Sequence, residues 1–312
     1  MSAVASVGTS VFNISAVERE TGLSKDVLRM WERRYGFPSP GRDPHGERQY
    51  GPTEVARLRA IKRLMDAGLR PGKIIGLPLD ELKALSDARA SERPDALAQS
   101  FEREIIHLLQ THDAPALQHA LAQRVMRQGL QKFVLESVTP LNQAVGDAWM
   151  RGELQVFEEH LYTEQLQVVL RTAINAFPRQ TTGVPRVLLT TFPNEQHGIG
   201  LLMVEALLCP EGVNCISLGP QTPIEDVRRA AIAHKAHILA LSFSGAFPLR
   251  LALEGLASLR QQLPPQVSIW AGGDMTRRIR KTVPGMVLIP DLASTITALR
   301  SWRAHWIPRP GY

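Results

Sequence analysis

Apolar residues fall into two rhythms along the chain. Through the first half they recur three and four apart, as in Val55, Leu58, Ile61, Leu64 and Met65, the spacing of helices with one buried face. From 186 onward they gather into short unbroken runs at 186 to 192, 213 to 218, 237 to 243, 267 to 271 and 286 to 289. Helical patterns follow these runs near 199 to 209, 223 to 234, 248 to 263, 274 to 282 and 292 to 304. Short apolar runs suit strands covered on both faces, and strand-helix units in succession predict a doubly wound parallel α/β sheet of flavodoxin-like type.

The front of the chain is punctuated more finely. Ser15-Ala16-Val17-Glu18 has the form of a capping box that opens a helix, and Gly22 ends it. Ser24 then caps a second helix, Lys25 to Arg34, and two short helices across a glycine turn make a helix-turn-helix. The second helix sets Lys25, Arg29, Arg33 and Arg34 on polar positions and Val27, Leu28 and Trp31 on an apolar face, which by itself also suits an ordinary surface helix. Gly36 to Tyr50, dense in turn residues and bearing Arg42 and Arg48, reads as a hairpin wing, and Thr53 caps a helix from Glu54 to Ala67. Over Phe12 to about Leu77 these residues resemble the winged-helix DNA-binding domain of the MerR family. The likeness is carried by Leu28-Arg29-Met30-Trp31-Glu32-Arg33-Arg34-Tyr35-Gly36, by Arg42, and by Arg48-Gln49-Tyr50 ahead of Glu54-Val55. It implies a double-stranded DNA operator, read by Lys25, Arg29, Arg33 and Arg34 on the recognition helix and gripped by Arg42, Arg48 and Tyr50 of the wing.

Polar residues crowd 83 to 97, so a linker is expected at 81–95, between a DNA-binding domain at 11–80 and a helical region at 96–178. Helices near 95 to 111, 114 to 125, 129 to 149 and 156 to 176 make a four-helix bundle, with Pro140 a kink or a fresh start in the third. A sheet domain follows at 184–305. Where the last two bundle helices meet, Trp149 ends one while Glu159 and His160 open another that is largely apolar. A core tryptophan beside a surface Glu-His pair accounts for this as well as a ligand-covering face does.

Composition narrows the surroundings. With 44% hydrophobic and 21% charged residues over 312 positions, the chain is a folded protein of two or three domains. Residues 1–77 carry 13 Lys and Arg against 8 Asp and Glu, a net +5, and residues 91–180 carry 8 against 11, a net −3, so a polyanion partner is expected at the front alone. Cys209 and Cys215 form no disulfide framework, the N-terminus has no secretion signal, and no run approaches the roughly 18 apolar residues of a membrane span. A cytoplasmic protein without a membrane partner is expected.

Residues able to do chemistry cluster where the strands of the last third end. Glu195 and His197 follow the first strand, Gly219 and Gln221 the second, Ser242 and Ser244 the third, and Gly272-Gly273-Asp274 the fourth. Open parallel sheets bind ligands at that edge. Pro193-Asn194-Glu195-Gln196-His197-Gly198-Ile199-Gly200 places one imidazole there, with Glu195 near enough to fix its tautomer and with Gly198 and Gly200 to admit something bulky. A lone histidine of this kind is otherwise a structural or surface residue. Glu195-Gln196-His197-Gly198-Ile199-Gly200, Ser242-Phe243-Ser244 and Gly272-Gly273, in this order, resemble the cobalamin-binding domain, with Glu in place of its usual Asp. Gly146 to His160 resembles the helical cap of such proteins. These resemblances imply that His197 ligates cobalt from below in place of the cofactor's own base. Ser242, Ser244, Gly272 and Gly273 then line the channel of the nucleotide tail, and Trp149 packs on the upper ligand with Glu159 and His160 beside it.

Head, cap and sheet in this order, over about Phe12 to Arg300, resemble the light-sensing regulators of the CarH, CarA and LitR type. The resemblance implies a repressor that holds adenosylcobalamin, covers its promoter as a dimer or tetramer in the dark, and comes apart when light breaks the cobalt-carbon bond. One residue departs from the pattern: Met150 stands where some of these photoreceptors carry a histidine. The residues leave open an adenosyl or a methyl upper ligand, and light, cofactor level or redox state as the signal. Cap and sheet also resemble the corrinoid module of methyltransferases, yet no substrate domain or catalytic constellation accompanies them, so a regulator is expected rather than an enzyme. A regulator whose sheet binds no cobalamin is the remaining alternative.

Overall fold

A computed structural model describes residues 11–66, 69–90, 96–178, 184–245, 247–279 and 285–306. The chain divides into two compact units, Met1–Ser100 with Gln143–Glu159, and Phe101–Asn142 with His160–Tyr312.

In the first unit, β1 (Phe12–Asn13), α1 (Ile14–Thr21), α2 (Lys25–Tyr35), β2 (Gly41–Arg42), β3 (Arg48–Tyr50), α3 (Pro52–Asp66), α4 (Pro71–Ile74) and α5 (Leu79–Ala90) follow in chain order. The strands form an antiparallel sheet with β3 in the middle. Asn13 caps α1 by accepting the Ala16 N–H at 2.8 Å, which places the cap two residues ahead of the expected Ser15. Asn serves as well as Ser in that position, and the pairing of Asn13 with Gln49 fixes where strand gives way to helix. Ser24 caps α2 as expected, accepting from Val27 at 3.3 Å. Val17, Leu28, Trp31, Tyr50, Leu58, Ile61, Leu64 and Leu82 form the core, each at most 2% exposed. A buried side chain of this size contributes about 1.5–3 kcal/mol. Leu82 corrects the expected linker at 81–95: the chain is helical to Ala90 and its leucine belongs to the core, while 91–95 lie outside the described residues. One buried leucine among polar neighbours is too sparse a stripe to read as a helix.

The middle of the chain runs through α6 (Ala96–Gln110), α7 (Ala114–Gln128), α8 (Leu130–Lys132), a π-helical stretch at Phe133–Val138, α9 (Thr139–Arg151) and α10 (Val156–Asn175). The expected third helix is therefore in three pieces, and Pro140 is the cause. Lacking an N–H, it falls in the first turn of α9, and the ladder just ahead shifts so that the Thr139 N–H bonds Val134 O, five residues back.

The second unit carries β4 (Arg186–Thr190), α11 (Ile199–Leu208), β5 (Asn214–Gly219), α12 (Ile224–Ala233), β6 (Ile238–Ser242), α13 (Leu249–Gln262), β7 (Ser268–Gly272), β8 (Met286–Ile289) and α14 (Ala293–His305). The strands are parallel in the order β5-β4-β6-β7-β8, so the winding reverses between β4 and β6. Val187, Leu189, Ile238, Ala240 and Trp270 pack on one face with Leu201 of α11 and Leu299 of α14. Leu188, Leu239, Leu241, Ile269 and Ala271 pack on the other with Val227 of α12 and Leu256 of α13. After β7 the expected helix is a short 3-10 turn, Asp274–Arg278, and its expected end at 282 lies outside the described residues.

Candidate functional site

The winding reverses where an open sheet binds ligands, and His197 lies there. Thr191 ties the loop down: its hydroxyl donates to Glu195 O at 2.7 Å and accepts the Gln221 N–H at 2.8 Å, joining the loops after β4 and β5. Nothing in the local sequence singles out Thr191, because its partner lies 30 positions away. Glu195, 2% exposed, accepts four hydrogen bonds: from His197 Nδ1 at 2.7 Å, His197 N at 3.1 Å, and Ser244 N and Oγ at 2.8 Å each. Burial pushes this carboxyl up, but the bonds from His197 and Ser244 outweigh it and hold the group below its ordinary value. An ionised carboxylate on Nδ1 places the ring proton there and leaves the lone pair on Nε2. The His197 side chain is 67% exposed, so that nitrogen is presented at the sheet edge. A metal held by one protein donor must bring the rest of its coordination with it, as a corrinoid does.

The surrounding residues suit a large flat group. A Cβ on Gly200 would stand 2.8 Å from Ser242 Oγ, and one on Gly273, at φ +94°, would stand 2.1 Å from the Phe243 carbonyl oxygen. Only glycine fits at 273, where the clash is with backbone, whereas a side chain at 200 would require Ser242 to move. A Cβ at Gly198 would stand 3.8 Å from Pro220, and one at Gly272 3.5 Å from Ile289, both ordinary van der Waals contacts. Ser242 pairs with Gly272 in register, and Trp270 and Ser268 follow on that same face. Ser268, Trp270 and Ile289 line a cavity of about 700 Å³ that His237, Trp302 and Trp306 close. Ser244, expected on the tail channel, donates both its N–H and its hydroxyl to Glu195. The expected cap residues divide between the units: Trp149 and Glu159 fall in the first, and the exposed His160 in the second.

On the head, Arg29, Arg33, Arg34 and Arg42 are exposed, and Lys25 is half-buried 3.7 Å from Glu18. Arg48 is half-buried and pairs with Glu32 at 2.8 Å, which ties the wing to α2. Tyr50 is a correction. It is fully buried in the head core, because alternation along β3 turns Gln49 outward and Tyr50 inward, so it is no wing contact.

Residues 12–78 match the family of MerR HTH family regulatory proteins, 185–289 match a B12 binding domain, and 101–173 match a second B12 binding domain family. The chain is 31% identical over 272 residues to the HTH-type transcriptional repressor CarH of Myxococcus xanthus, an overlap of 85% of this chain and 90% of that one. The chain belongs to the CarH-like, cobalamin-binding regulators of the MerR family. The HTH-type transcriptional repressor CarA of the same organism is 28% identical over 236 residues, 74% of this chain and 75% of that one. The monomethylamine corrinoid protein of Methanosarcina barkeri shares the fold, with a TM-score of 0.50 at 14% identity over 65% of this chain and 98% of that one. This MerR-family regulator thus binds DNA and cobalamin, and both repressors like it are regulators rather than enzymes. Among the described residues no helix is long and apolar enough to cross a membrane.

Proposed function

We propose that this regulator is a light-responsive repressor that ligates adenosylcobalamin through His197 and changes its oligomeric state, and with it its hold on an operator, when the upper ligand is lost. The observation that carries the reading is an exposed imidazole oriented through Nδ1 by a buried carboxylate with four hydrogen bonds. The bound cofactor supplies cobalt and an organic upper ligand that light can cleave. His197 would hold the cobalt through neutral Nε2, with Glu195 keeping the ring aimed. Gly200, Ser242 and Gly272 leave the channel open, and the cavity walled by Trp270, Ile289 and Trp302 receives the nucleotide tail. Trp149, Glu159 and His160 cover the upper ligand, so its loss changes which packing of dimer or tetramer is favoured, by no more than its differential affinity for the two. Lys25, Arg29, Arg33 and Arg34 enter the major groove, while Arg42 grips a phosphate.

Gel filtration and operator binding in dark and light test this on protein loaded with adenosylcobalamin, beside His197→Ala. The dark form is expected to be the larger species and to hold the operator, and light to dissociate it. A dark oligomer that illumination leaves intact on DNA sinks the light response. One observation favours a second reading, in which cofactor level alone is sensed: Met150 stands where some related photoreceptors carry a histidine, and it is 4% exposed in the head core. On that reading apo and loaded protein differ in DNA affinity, while light and dark do not.

A further inference from the structure

The turn of α9 that carries Trp149 is held by the DNA-binding head. Asp147 Oδ1 lies 2.7 Å from Arg63 Nε, in an ion pair whose side chains are 13% and 22% exposed. Arg63 also donates to the carbonyl of Gln143. Gly146 meets the same guanidinium so closely that a Cβ there would stand 1.8 Å from Arg63 Nη1. Arg59 lies over the Trp149 ring at 5.0 Å and is paired to Glu20 of α1. Met150 enters the head core, and Trp149 packs against that core. Arg59 and Arg63 are four apart and share one face of α3, as Gln143 and Asp147 do on α9 and as Gly146 and Met150 do beside them. Matched faces and a half-buried ion pair make an interface inside the first compact unit.

We propose that this interface is a latch. The Arg59-Arg63 face of the head and the upper ligand of the cofactor compete for the Trp149 turn, so loading the cofactor frees the head and holding the head weakens the cofactor. The inference rests on the reading above that Trp149 packs on the upper ligand. A ring face lying under the Arg59 guanidinium is not open to a second flat partner. The Trp149 indole N–H is buried without a hydrogen-bond partner among the described residues, so the seat on the head leaves a polar group unmet. Apparent affinity for the cofactor is its intrinsic affinity scaled by the fraction of molecules in which Trp149 is released. The effect is reciprocal, because the coupling between two binding events has one value whichever comes first.

The sign of this coupling makes it testable. Full-length wild type, Arg63→Ala, Asp147→Ala, Arg59→Ala and the exchanged pair Arg63→Asp with Asp147→Arg are titrated with adenosylcobalamin in the dark by absorbance, with thermal melts alongside. Each single variant is expected to bind about fivefold more tightly, since the competing contact is gone, and the exchanged pair to return toward wild type. A merely structural contact predicts weaker binding and a lower melting temperature together. Unchanged or weaker binding in folded single variants overturns the latch. Should Arg63→Ala fail to fold, the Arg59→Ala and Asp147→Ala titrations decide in its place. Failure of wild type itself to take up adenosylcobalamin defeats the cofactor reading and the latch with it, whereas wild-type binding with indifferent variants removes the latch alone.

Discussion

The two binding regions of this regulator are built in opposite ways. The head offers its cations on one helix and one hairpin, a few residues apart in sequence, with Arg29, Arg33, Arg34 and Arg42 exposed outside the core. The sheet edge draws on residues distant in the chain, Glu195 and Ser244 being 49 positions apart, and the carboxylate that orients the His197 ring is nearly inaccessible to water. Attraction to phosphate acts over a Debye length of roughly 8–10 Å and tolerates loose geometry. Ligation of a metal does not, so an exposed donor there needs a buried scaffold behind it. An electrostatic surface can thus be laid on a helix, whereas a coordinating site has to be assembled by the fold.

Substitutions can break or sharpen that contrast. The largest effect is expected at the sheet edge from Gly273→Ala, which forces a side chain at φ +94° into the Phe243 carbonyl. It should cost about 3 kcal/mol in urea unfolding, against roughly 0.5 kcal/mol or less for Arg42→Ala on the wing. Equal losses at both positions would erase the distinction. Next comes Glu195→Ala, for which cobalamin affinity should fall about 10- to 100-fold in an absorbance titration while operator contacts are untouched. A variant that binds as tightly as wild type would mean that His197 needs no buried partner. On the head, Arg42→Ala should lower the salt dependence of operator binding by about one unit and leave the unfolding midpoint in place. A shift in stability of comparable size would show the head to be as interdependent as the sheet edge.

The smallest effect is a pH dependence at His237, beneath the cavity. Burial first, and then the charge of Arg186, lower its pKa, so the folded protein resists a proton that the unfolded chain accepts. The stability concerned is complete above the unfolded value of about 6.5 and is lost as pH falls from there through the lower folded value. Urea midpoints at about pH 7.5 and 5.5 should differ for wild type and converge for His237→Gln. A variant as pH-sensitive as wild type places the titration elsewhere.

What was legible in the sequence, and what was not, follows the same division. The helices of the head, its wing and the order of strand and helix in the sheet domain rest on contacts within a few residues, and periodicity and capping report those directly. The pairing of Glu195 with His197 belongs there too, at a spacing of two. Glu195 is also clamped by Ser244, the loop after β4 is anchored by Thr191, Tyr50 is core rather than wing, and α5 stands where a linker was expected. The Ser244 clamp and the tie from Thr191 to Gln221 depend on partners brought close only by folding, and the burial of Tyr50 and Leu82 depends on a core that the rest of the head supplies. Met150 is the clearest case: its place beside Trp149 suggests a residue near the upper ligand, yet burial puts it in the head core. By itself the sequence determined which residue types stand at the strand ends and on the recognition helix, since local rules act on neighbours. Tertiary structure alone decided which of them face solvent, which hold one another in place and which belong to a core, since burial and hydrogen bonding join positions far apart in the chain.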